Sequence, residues 1–385
     1  MQIKSKEYLE KNIDHLRNSL NIAVIYGGEA DKAGTVINKT HNPRSTKTYE
    51  YVADDIMHAL VSCGFKNVIK LPEDMNLATA LLENNIHICW LNSGGTQGYC
   101  SVSHAPSMLE LLGIPYVGHN PLNAAVLDNK HIFKSILASM DVKTAEFLVC
   151  NPNSAGGDDL VNAQLDAHFK NHHGAFIVKP VSGRASQHVH HVPDRSGLLD
   201  VIKNVNNITG GNVMVEEFLG GNEYTMAVMG PIVSKKNKLI DRAAPFAFSG
   251  VQRILEADEK IFTSMDTKKI SNDRMRVLSQ DDDEHVINKL EKLSTRIYQA
   301  LDLETAVRID FRADDSGEIY VLEANPKPDL KRPVKNQSRL ICAGLDREDM
   351  SYECLIQSMF INRVHDLITY KRKMAPKLCA LLEAH

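Results

Sequence analysis

Short apolar runs alternate with helical spacings along the N-terminal part of the chain. NIAVIY (21–26), NVIKL (67–71) and HICWL (87–91) are typical of buried strands. Between the first two, TYEYVADDIMHALVSCG carries its apolar residues on one helix face and ends at a glycine. This βαβαβ order predicts a parallel sheet covered by helices. We expect this first α/β domain to span residues 1–120.

The pattern changes after residue 120. AAVLDNKHIFKSILASM predicts one helix. AFIVKP (175–180) and HVHHV (188–192) predict two strands on either side of a tight, glycine-containing loop. These elements predict a small central α+β domain over residues 121–211.

A third block begins with the strand NVMVEEF (212–218), which a short connection through Gly220 and Gly221 joins to the strand EYTMAVMG. HVINKLEKLSTRIYQAL (285–301) has the spacing of a strong amphipathic helix. The stretch that begins at KLIDRAAPFAF shows no clear periodicity. We expect a C-terminal α+β domain over residues 212–385.

Composition narrows the function classes. The chain has 385 residues, 43% of them hydrophobic, and a net charge of −4, so charge alone would not hold a nucleic acid. No apolar run approaches the roughly 18 residues of a membrane span. The seven cysteines form no C-x-x-C pair, which is typical of reduced thiols in the cytoplasm. We therefore expect a cytoplasmic protein that binds neither nucleic acid nor membrane.

The segment AVRIDFRADDSGEIYVLEANPKPDL (306–330) carries the strongest chemical signal. Its first half alternates apolar and polar residues, and DDSG predicts a turn. In simple antiparallel register, Arg308 lies opposite Glu323 and Asp310 opposite Val321, so that one face of the hairpin carries four polar side chains: Arg308, Asp310, Glu323 and Asn325.

Two carboxylates and an amide oxygen on one face form a ligand set for a hard cation such as Mg²⁺. Without a cation, the like charges would repel each other. The alternative is the solvated face of an ordinary hairpin. Pro326 favours a site, because the proline ends the ladder where Asn325, the last of these ligands, lies.

Two further segments suggest a phosphate and nucleotide site. Lys179 ends the buried strand AFIVKP and needs an anionic partner such as phosphate, and the next loop can offer the backbone N–H groups of Gly183 and Ser186. Glu216 and Glu217 point to opposite faces of one strand, so that one of them can accept hydrogen bonds from adenine or ribose. The alternatives are a snorkelling lysine and ordinary exposed glutamates.

Taken in order, LDNK (127–130), FIVKP (176–180), the glycine flap, VEEFLGGNE (215–223), and RIDF with LEANP resemble the ATP-grasp superfamily, and within it the D-alanine-D-alanine ligase group. The likeness covers most of the chain, from about residue 21 to 335. It implies an ATP-grasp α/β fold with a Rossmann-like N-terminal domain and two α+β domains, and with ATP held between the sheets of the second and third domains.

The resemblance also implies roles for individual residues. Lys130 and Lys179 would contact the ATP phosphates, and Arg308 would stabilise the charge that develops on the substrate. Ser186 is the flap serine that this chain retains, and the resemblance implies that it is a catalytic residue together with Arg308. The adenine and ribose pocket would be lined by Glu216, Glu217, Leu219 and Glu223, and one or two Mg²⁺ ions, or Mn²⁺ in their place, would be held by Asp310, Glu323 and Asn325.

The chain departs from the D-alanine ligase pattern in three places. The flap has Arg184-Ala185 beside Ser186, the N-terminal segments lack the acid and histidine that bind the first D-alanine, and PKPDLKRP replaces a loop of glycine and serine. We therefore expect ATP chemistry without D-alanine specificity. Asp329, Lys331 and Arg332 suggest a second substrate with its own carboxylate or phosphate.

The resemblance implies an ATP-dependent ligase that forms an amide bond between a small acid and an amine through an acyl phosphate. The alternatives are a small-molecule kinase on the same scaffold and a nucleotide-binding regulatory protein without turnover. The expected partners are small-molecule substrates. A carrier protein that presents one of them and a homodimer are open alternatives.

Overall fold

A computed structural model describes residues 5–28, 48–96, 98, 100–183, 186–236, 238–256, 259–261, 272–335, 337 and 339–383. The first domain contains the strands β1 (Asn21–Gly27), β2 (Asn67–Glu73), β3 (Ile88–Leu91) and β4 (Tyr116–Val117), and the helices α1 (Ser5–Ser19), α2 (Glu50–Ser62), α3 (Leu77–Glu83) and α4 (His104–Leu112). The strands form a parallel sheet in the order β2-β1-β3-β4, with apolar clusters on both faces. The predicted parallel sheet is confirmed.

The central part contains α5 (Pro121–Asp128), α6 (Lys130–Ser139), β5 (Phe147–Cys150), α7 (Gly157–His168), β6 (Phe176–Pro180), β7 (His190–Val192), α8 (Leu198–Thr209) and β8 (Val213–Glu217). The strands form an antiparallel sheet in the order β5-β8-β6-β7. The pairing of β6 with β7 confirms the predicted strand-loop-strand unit. The strand β8, which the sequence analysis placed at the start of the third block, pairs with β5 and β6 of this sheet.

The single helix predicted after residue 120 is two helices. Asn129 has an extended backbone and separates α5 from α6, and its side chain caps α6 by accepting a hydrogen bond from the backbone N–H of Ile132. The break also lets the backbone N–H of Lys130 donate to Val181 O at 2.8 Å, beyond the end of β6. Lys130 is therefore fixed beside the loop that follows Lys179.

The C-terminal part contains β9 (Glu223–Met229), β10 (Ile232–Lys235), β11 (Lys238–Asp241), β12 (Phe246–Arg253), β13 (Met275–Val277), α9 (Gln280–Ala300), β14 (Val307–Ala313), β15 (Ile319–Asn325), α10 (Tyr352–Thr369) and α11 (Pro376–Glu383). Its main sheet is antiparallel in the order β13-β12-β9-β14-β15, and β10 and β11 form a separate hairpin. The stretch without clear periodicity contributes β11 and β12.

The connection from β8 to β9 crosses from the central sheet to the C-terminal sheet. Gly220 and Gly221 pass so close to the turn after β14 that a Cβ atom on Gly221 would lie 2.5 Å from the backbone oxygen of Asp314. Because the two sheets meet at this crossing, a cleft opens between them.

Two packing features complete the fold. One face of the C-terminal sheet packs against α9, and α10 packs against α1 and α2 of the first domain in one apolar cluster. None of the helices in the described part of the chain combines the length and the apolar character that a membrane crossing requires.

Candidate active site

The floor of the cleft is the polar face of the C-terminal sheet. Along β14, Val307, Ile309 and Phe311 are buried in the cluster beside α9. Because side chains alternate along a strand, Arg308, Asp310 and Arg312 lie on the opposite face. This alternation follows the sequence prediction, although Asp310 and Arg312 are themselves buried.

The register of the β14–β15 hairpin differs from the simple one. Asp310 lies opposite Glu323, and Arg308 lies opposite Asn325, with a bulge between Asp310 and Phe311. The predicted pairs were therefore wrong by two residues. A shift of two residues keeps every side chain on its own face, so the four polar residues still share one face, and the two carboxylates are now direct neighbours.

Cations surround Asp310. Its Oδ1 atom lies 2.8 Å from Arg308 Nε, and its Oδ2 atom accepts from Arg308 Nη2 at 2.9 Å, from Arg253 Nη2 at 3.1 Å and from Asn325 Nδ2 at 3.2 Å. Burial raises the pKa of this carboxyl, but the charges of Arg308 and Arg253 outweigh burial and keep the pKa below its usual value. The carboxylate is therefore ionised at neutral pH.

Glu323 has a more open environment. Its Oε2 atom lies 3.4 Å from Lys130 Nζ, and 29% of its side chain is exposed. Lys130 Nζ also donates to the backbone oxygen of Gly183 at 2.8 Å, which ties the hairpin to the flap. Lys130 and Glu323 thus form a bridge between the two sheets.

The chemistry of this face suits Mg²⁺. Asp310 and Glu323 lie directly opposite each other with Asn325 beside them, and hard oxygen donors of this kind are the ligands that Mg²⁺ prefers. Within the described ranges, no group of three or more His, Cys, Asp and Glu side chains is arranged to hold a metal ion. A cation here would therefore draw further oxygen ligands from phosphate and water.

Lys179 has a partner that the sequence did not suggest. Its Nζ atom lies 2.7 Å from Glu216 Oε2, and the Nζ atom of Lys134 lies 2.8 Å from Glu216 Oε1. Lys134 has no exposed side-chain surface, and Glu216 has 2%. Sequence reasoning missed Lys134, whose only signal was a lysine on the apolar face of the predicted helix.

Lys134, Glu216 and Lys179 form a buried triad, and burial and charge shift the pKa values of Lys134 and Glu216. Burial lowers the pKa of Lys134 to about 8, although the charge of Glu216 opposes the shift. Burial raises the pKa of Glu216, but the charges of Lys134 and Lys179 outweigh burial and keep the pKa below its usual value. At neutral pH Lys134 and Glu216 are therefore both charged.

Glu223 is also held by cations. Its Oε1 atom lies 2.6 Å from Arg312 Nη1, and its Oε2 atom lies 3.6 Å from Arg253 Nη1. These side chains form one row because Glu223 pairs with Arg312 on β14 and with Arg253 on β12. Arg312 continues the alternation of Arg308 and Asp310 in the sequence, whereas no pattern indicated Arg253.

The remaining predicted residues also border the cleft. Leu219 is buried, Glu217 is half-buried with its Oε1 atom accepting from the backbone N–H of Glu146, and Ser186 is exposed in the flap. Arg184 and Ala185 lie outside the described residues.

The first cleft lies between the central and C-terminal sheets. Nine predicted residues line it: Lys130, Lys179, Ser186, Glu216, Glu217, Leu219, Glu223, Asp310 and Glu323. A second cleft adjoins it at Lys130, Gly183 and Glu323, and is bordered by Arg308, Asn325, Lys327 and Asp329. All eleven residues that were predicted for nucleotide, metal and catalysis therefore lie at two connected clefts.

Two residues suggested for the second substrate lie elsewhere. Lys331 Nζ lies 5.1 Å from the centre of the Tyr51 ring, and Arg332 pairs with Glu353. Neither lines the second cleft. This prediction was wrong in its residues; the lysine that borders the second cleft beyond Asn325 is Lys327.

Comparisons with known proteins agree with this arrangement. The family described as "D-ala D-ala ligase C-terminus" matches residues 136–360, more than half of the chain. A D-alanine-D-alanine ligase of Neisseria meningitidis serogroup C is 27% identical over 307 residues, which cover 78% of this chain and 89% of the relative. An uncharacterized protein, y4sG, of Sinorhizobium fredii is 25% identical over 294 residues, covering 72% and 79%.

Solved structures show the same fold. The D-alanine-D-alanine ligase of Bacillus anthracis complexed with ATP superposes with a TM-score of 0.63 at 21% identity, covering 90% of this chain and 99% of that chain. The VanG D-Ala:D-Ser ligase of Enterococcus faecalis has a TM-score of 0.63 at 17% identity, covering 89% and 98%. The chain therefore belongs to the D-alanine-D-alanine ligase family, and it is an ATP-dependent ligase of the ATP-grasp type that forms C–N bonds with ATP and Mg²⁺ as cofactors.

Proposed function

We propose that this carboxylate–amine ligase joins an amino acid or similar small acid to an amine through an acyl phosphate, and that its substrates are not two molecules of D-alanine. One observation carries the proposal. Lys130 and Lys179 line the first cleft together with Asp310 and Glu323, and this cleft continues past Glu323 into the second cleft. A triphosphate in the first cleft would thus end beside a carboxylate in the second.

The charges of the first cleft support this placement of ATP. Lys130 and Lys179 supply point charges to the phosphates, and each is less than one-tenth exposed, so that solvent screens them little. Glu216, Glu217, Leu219 and the backbone around them form the adenine end of the cleft. Glu223 borders the ribose, and both of its oxygens already hold arginines, so it positions Arg253 and Arg312 as well.

Asp310, Glu323 and Asn325 would hold Mg²⁺ together with phosphate oxygens. When bound, the cation neutralises phosphate charge and polarises the transferring phosphoryl group. The contacts between Asp310 and the two arginines keep this carboxylate ionised and fix its position beside Glu323.

The proposed reaction has two displacements. A carboxylate oxygen of the first substrate attacks the γ-phosphorus, and ADP leaves. The deprotonated amine of the second substrate then attacks the acyl carbon, and inorganic phosphate leaves as the amide forms. Arg308 lies where the second cleft meets the metal-binding face, so its guanidinium can stabilise the oxyanion of the second step. Ser186 can donate to phosphate from the flap.

The second cleft supports a substrate other than D-alanine. Its wall includes Lys327, whose ammonium lies 4.2 Å from the centre of the Tyr49 ring, and Asp329, whose carboxylate lies 2.9 Å from Arg339 Nε. Alanine would meet this wall only with its α-amino and α-carboxylate groups, because its methyl side chain cannot pair with charged groups. An acceptor with a second carboxylate, on its side chain, could pair with Lys327 as well.

The experiment is a screen of D- and L-amino acid pairs with ATP and Mg²⁺, in which ADP, phosphate and amide are measured. We expect D-alanine alone to release no phosphate above the substrate-free rate, and one or more other pairs to give ADP, phosphate and amide in equal amounts. Lys327→Met should raise KM for an acceptor carboxylate but not for the matching carboxamide. Efficient synthesis of D-alanyl-D-alanine would contradict the substrate proposal, and a stable phosphoester without phosphate release would indicate a kinase.

A further inference from the structure

A buried lysine behind the wall of the first cleft, Lys134, was not predicted from the sequence. Lys134 lies on α6, with its Nζ atom 2.8 Å from Glu216 Oε1 and 3.3 Å from the backbone oxygen of Ala145. Its side chain has no solvent exposure, and its ammonium also lies 5.4 Å from the centre of the Phe147 ring. An ammonium this deeply buried is costly unless it is paired.

The partner of Lys134 is shared with the cleft. Glu216 uses its Oε1 atom for Lys134 and its Oε2 atom for Lys179, whose Nζ atom is 2.7 Å away. Lys134 does not line the cleft, whereas Glu216 and Lys179 do. Lys134 therefore touches no ligand in the cleft, and its contact with the cleft wall is the one to Glu216.

Charge counting shows what Lys134 contributes. Glu216 and Lys179 alone would form a neutral pair, and a neutral pair attracts a polyphosphate only weakly. With Lys134 on the other oxygen of Glu216, the triad carries one net positive charge, which lies at the wall of the cleft beside Lys179. The low exposure of all three groups leaves this charge poorly screened.

We propose that Lys134 is a positioning residue for ATP: it neutralises and anchors Glu216, and so leaves Lys179 held in place with its charge available to phosphate. The inference rests on the proposed binding of ATP in the first cleft. It is independent of the identity of the acid and the amine.

The test measures ATP affinity in the presence of Mg²⁺ by calorimetry on the full-length protein. Lys134→Met keeps the length and apolar stem of the side chain but removes the charge, and we expect it to raise the Kd for ATP about tenfold, the loss of one charge-assisted contact. Lys134→Arg should stay within about threefold of the wild type, because the charge is kept. Lys143→Met is the matched control, since Lys143 is 60% exposed and pairs with Glu318 outside the cleft.

A double variant separates charge from simple packing. Lys134→Met with Glu216→Gln leaves Lys179 as the only charge of the triad and restores the net charge of one. We expect this double variant to recover at least half of the lost binding free energy, which a purely structural role of Lys134 would not predict. Wild-type affinity in Lys134→Met, or a double variant weaker than either single variant, would overturn the inference. Failure of the wild-type protein to bind ATP would instead overturn the proposed placement of the nucleotide.

Discussion

The two carboxylates of the proposed Mg²⁺ site should respond differently to the same substitution. Glu323→Gln and Asp310→Asn each remove one charged oxygen ligand while preserving the shape of the side chain. Both should reduce turnover, because phosphoryl transfer depends on the cation. Their effects on stability should differ because the surroundings of the two carboxylates differ.

The structure gives the expected magnitudes. Asp310 has a 6% exposed side chain that pairs with Arg308 at 2.8 Å and Arg253 at 3.1 Å, so its neutralisation removes the ion-pair partner of Arg308 and one of the two carboxylates beside Arg253. Breaking a buried pair from one side costs roughly 3 to 5 kcal/mol, and we expect about 3 because Asn still accepts a hydrogen bond. Glu323 is 29% exposed and has one ion pair, with Lys130 at 3.4 Å, so its substitution should cost below about 1 kcal/mol.

The assay combines urea unfolding with the Mg²⁺ dependence of ADP release. Glu323→Gln should unfold near the wild-type urea concentration but need more Mg²⁺, whereas Asp310→Asn should lose both stability and activity. Glu318→Gln is a matched control on the same hairpin, because Glu318 pairs with Lys289 at 2.7 Å outside the cleft, and it should keep full activity. Equal destabilisation by the two substitutions, or a wild-type rate for Glu323→Gln at limiting Mg²⁺, would refute this reasoning.

Three further predictions follow from the same contacts. Lys179→Ala should weaken ATP binding at least about tenfold, since a contact to a charged group contributes roughly 1.5 to 3 kcal/mol, and unchanged affinity in calorimetry would remove Lys179 from the site. The double variant Lys331→Ala, Arg332→Ala should leave KM for both substrates unchanged in steady-state kinetics, because neither side chain lines the clefts. The folded-state pKa of Asp310 lies below its unfolded value, so the stabilisation that the Asp310 carboxylate gives the fold is present above about pH 4 and is lost as the pH falls through the folded pKa. Urea unfolding from pH 6 to 3 should show this loss, and the free energy of unfolding should depend less steeply on pH in Asp310→Asn.

The sequence predicted those parts of the fold that local periodicity encodes. Alternation along residues 307–312 indicated the polar face of β14, and the βαβαβ order indicated the parallel sheet. The face of the hairpin survived an incorrect register because the error was two residues, and side chains repeat every two residues along a strand. The local sequence pattern was therefore sufficient where it alone determines which side chains of an element are buried and which are exposed.

Long-range pairing could not be predicted in the same way. The break at Asn129 coincides with a contact between Lys130 and the distant Val181, and the place of β8 depends on its partners β5 and β6. Nothing in the strands themselves determines these partners. The domain boundaries stay a prediction for the same reason.

The site residues that the sequence analysis missed were missed for one reason. Lys134, Arg253 and Arg312 each pair with a carboxylate that comes from another element, Glu216 in the first case and Glu223 in the other two. A lysine on the apolar face of a helix becomes informative only when its partner is known. For Lys331 and Arg332 the sequence instead suggested site residues that do not line the cleft, because a charged loop does not indicate the direction of each side chain.

The most direct test of the proposed acyl phosphate traces oxygen atoms from the carboxylate substrate into the phosphate that is released. The enzyme is incubated with Mg²⁺, ATP and amino-acid pairs whose carboxyl groups carry ¹⁸O, and the phosphate that is released is analysed by mass spectrometry. The proposed acyl phosphate predicts one ¹⁸O atom in each phosphate formed, together with one ADP and one amide. Unlabelled phosphate, or ADP with a stable phosphoester in place of phosphate, would contradict a ligase that activates its acid by phosphorylation.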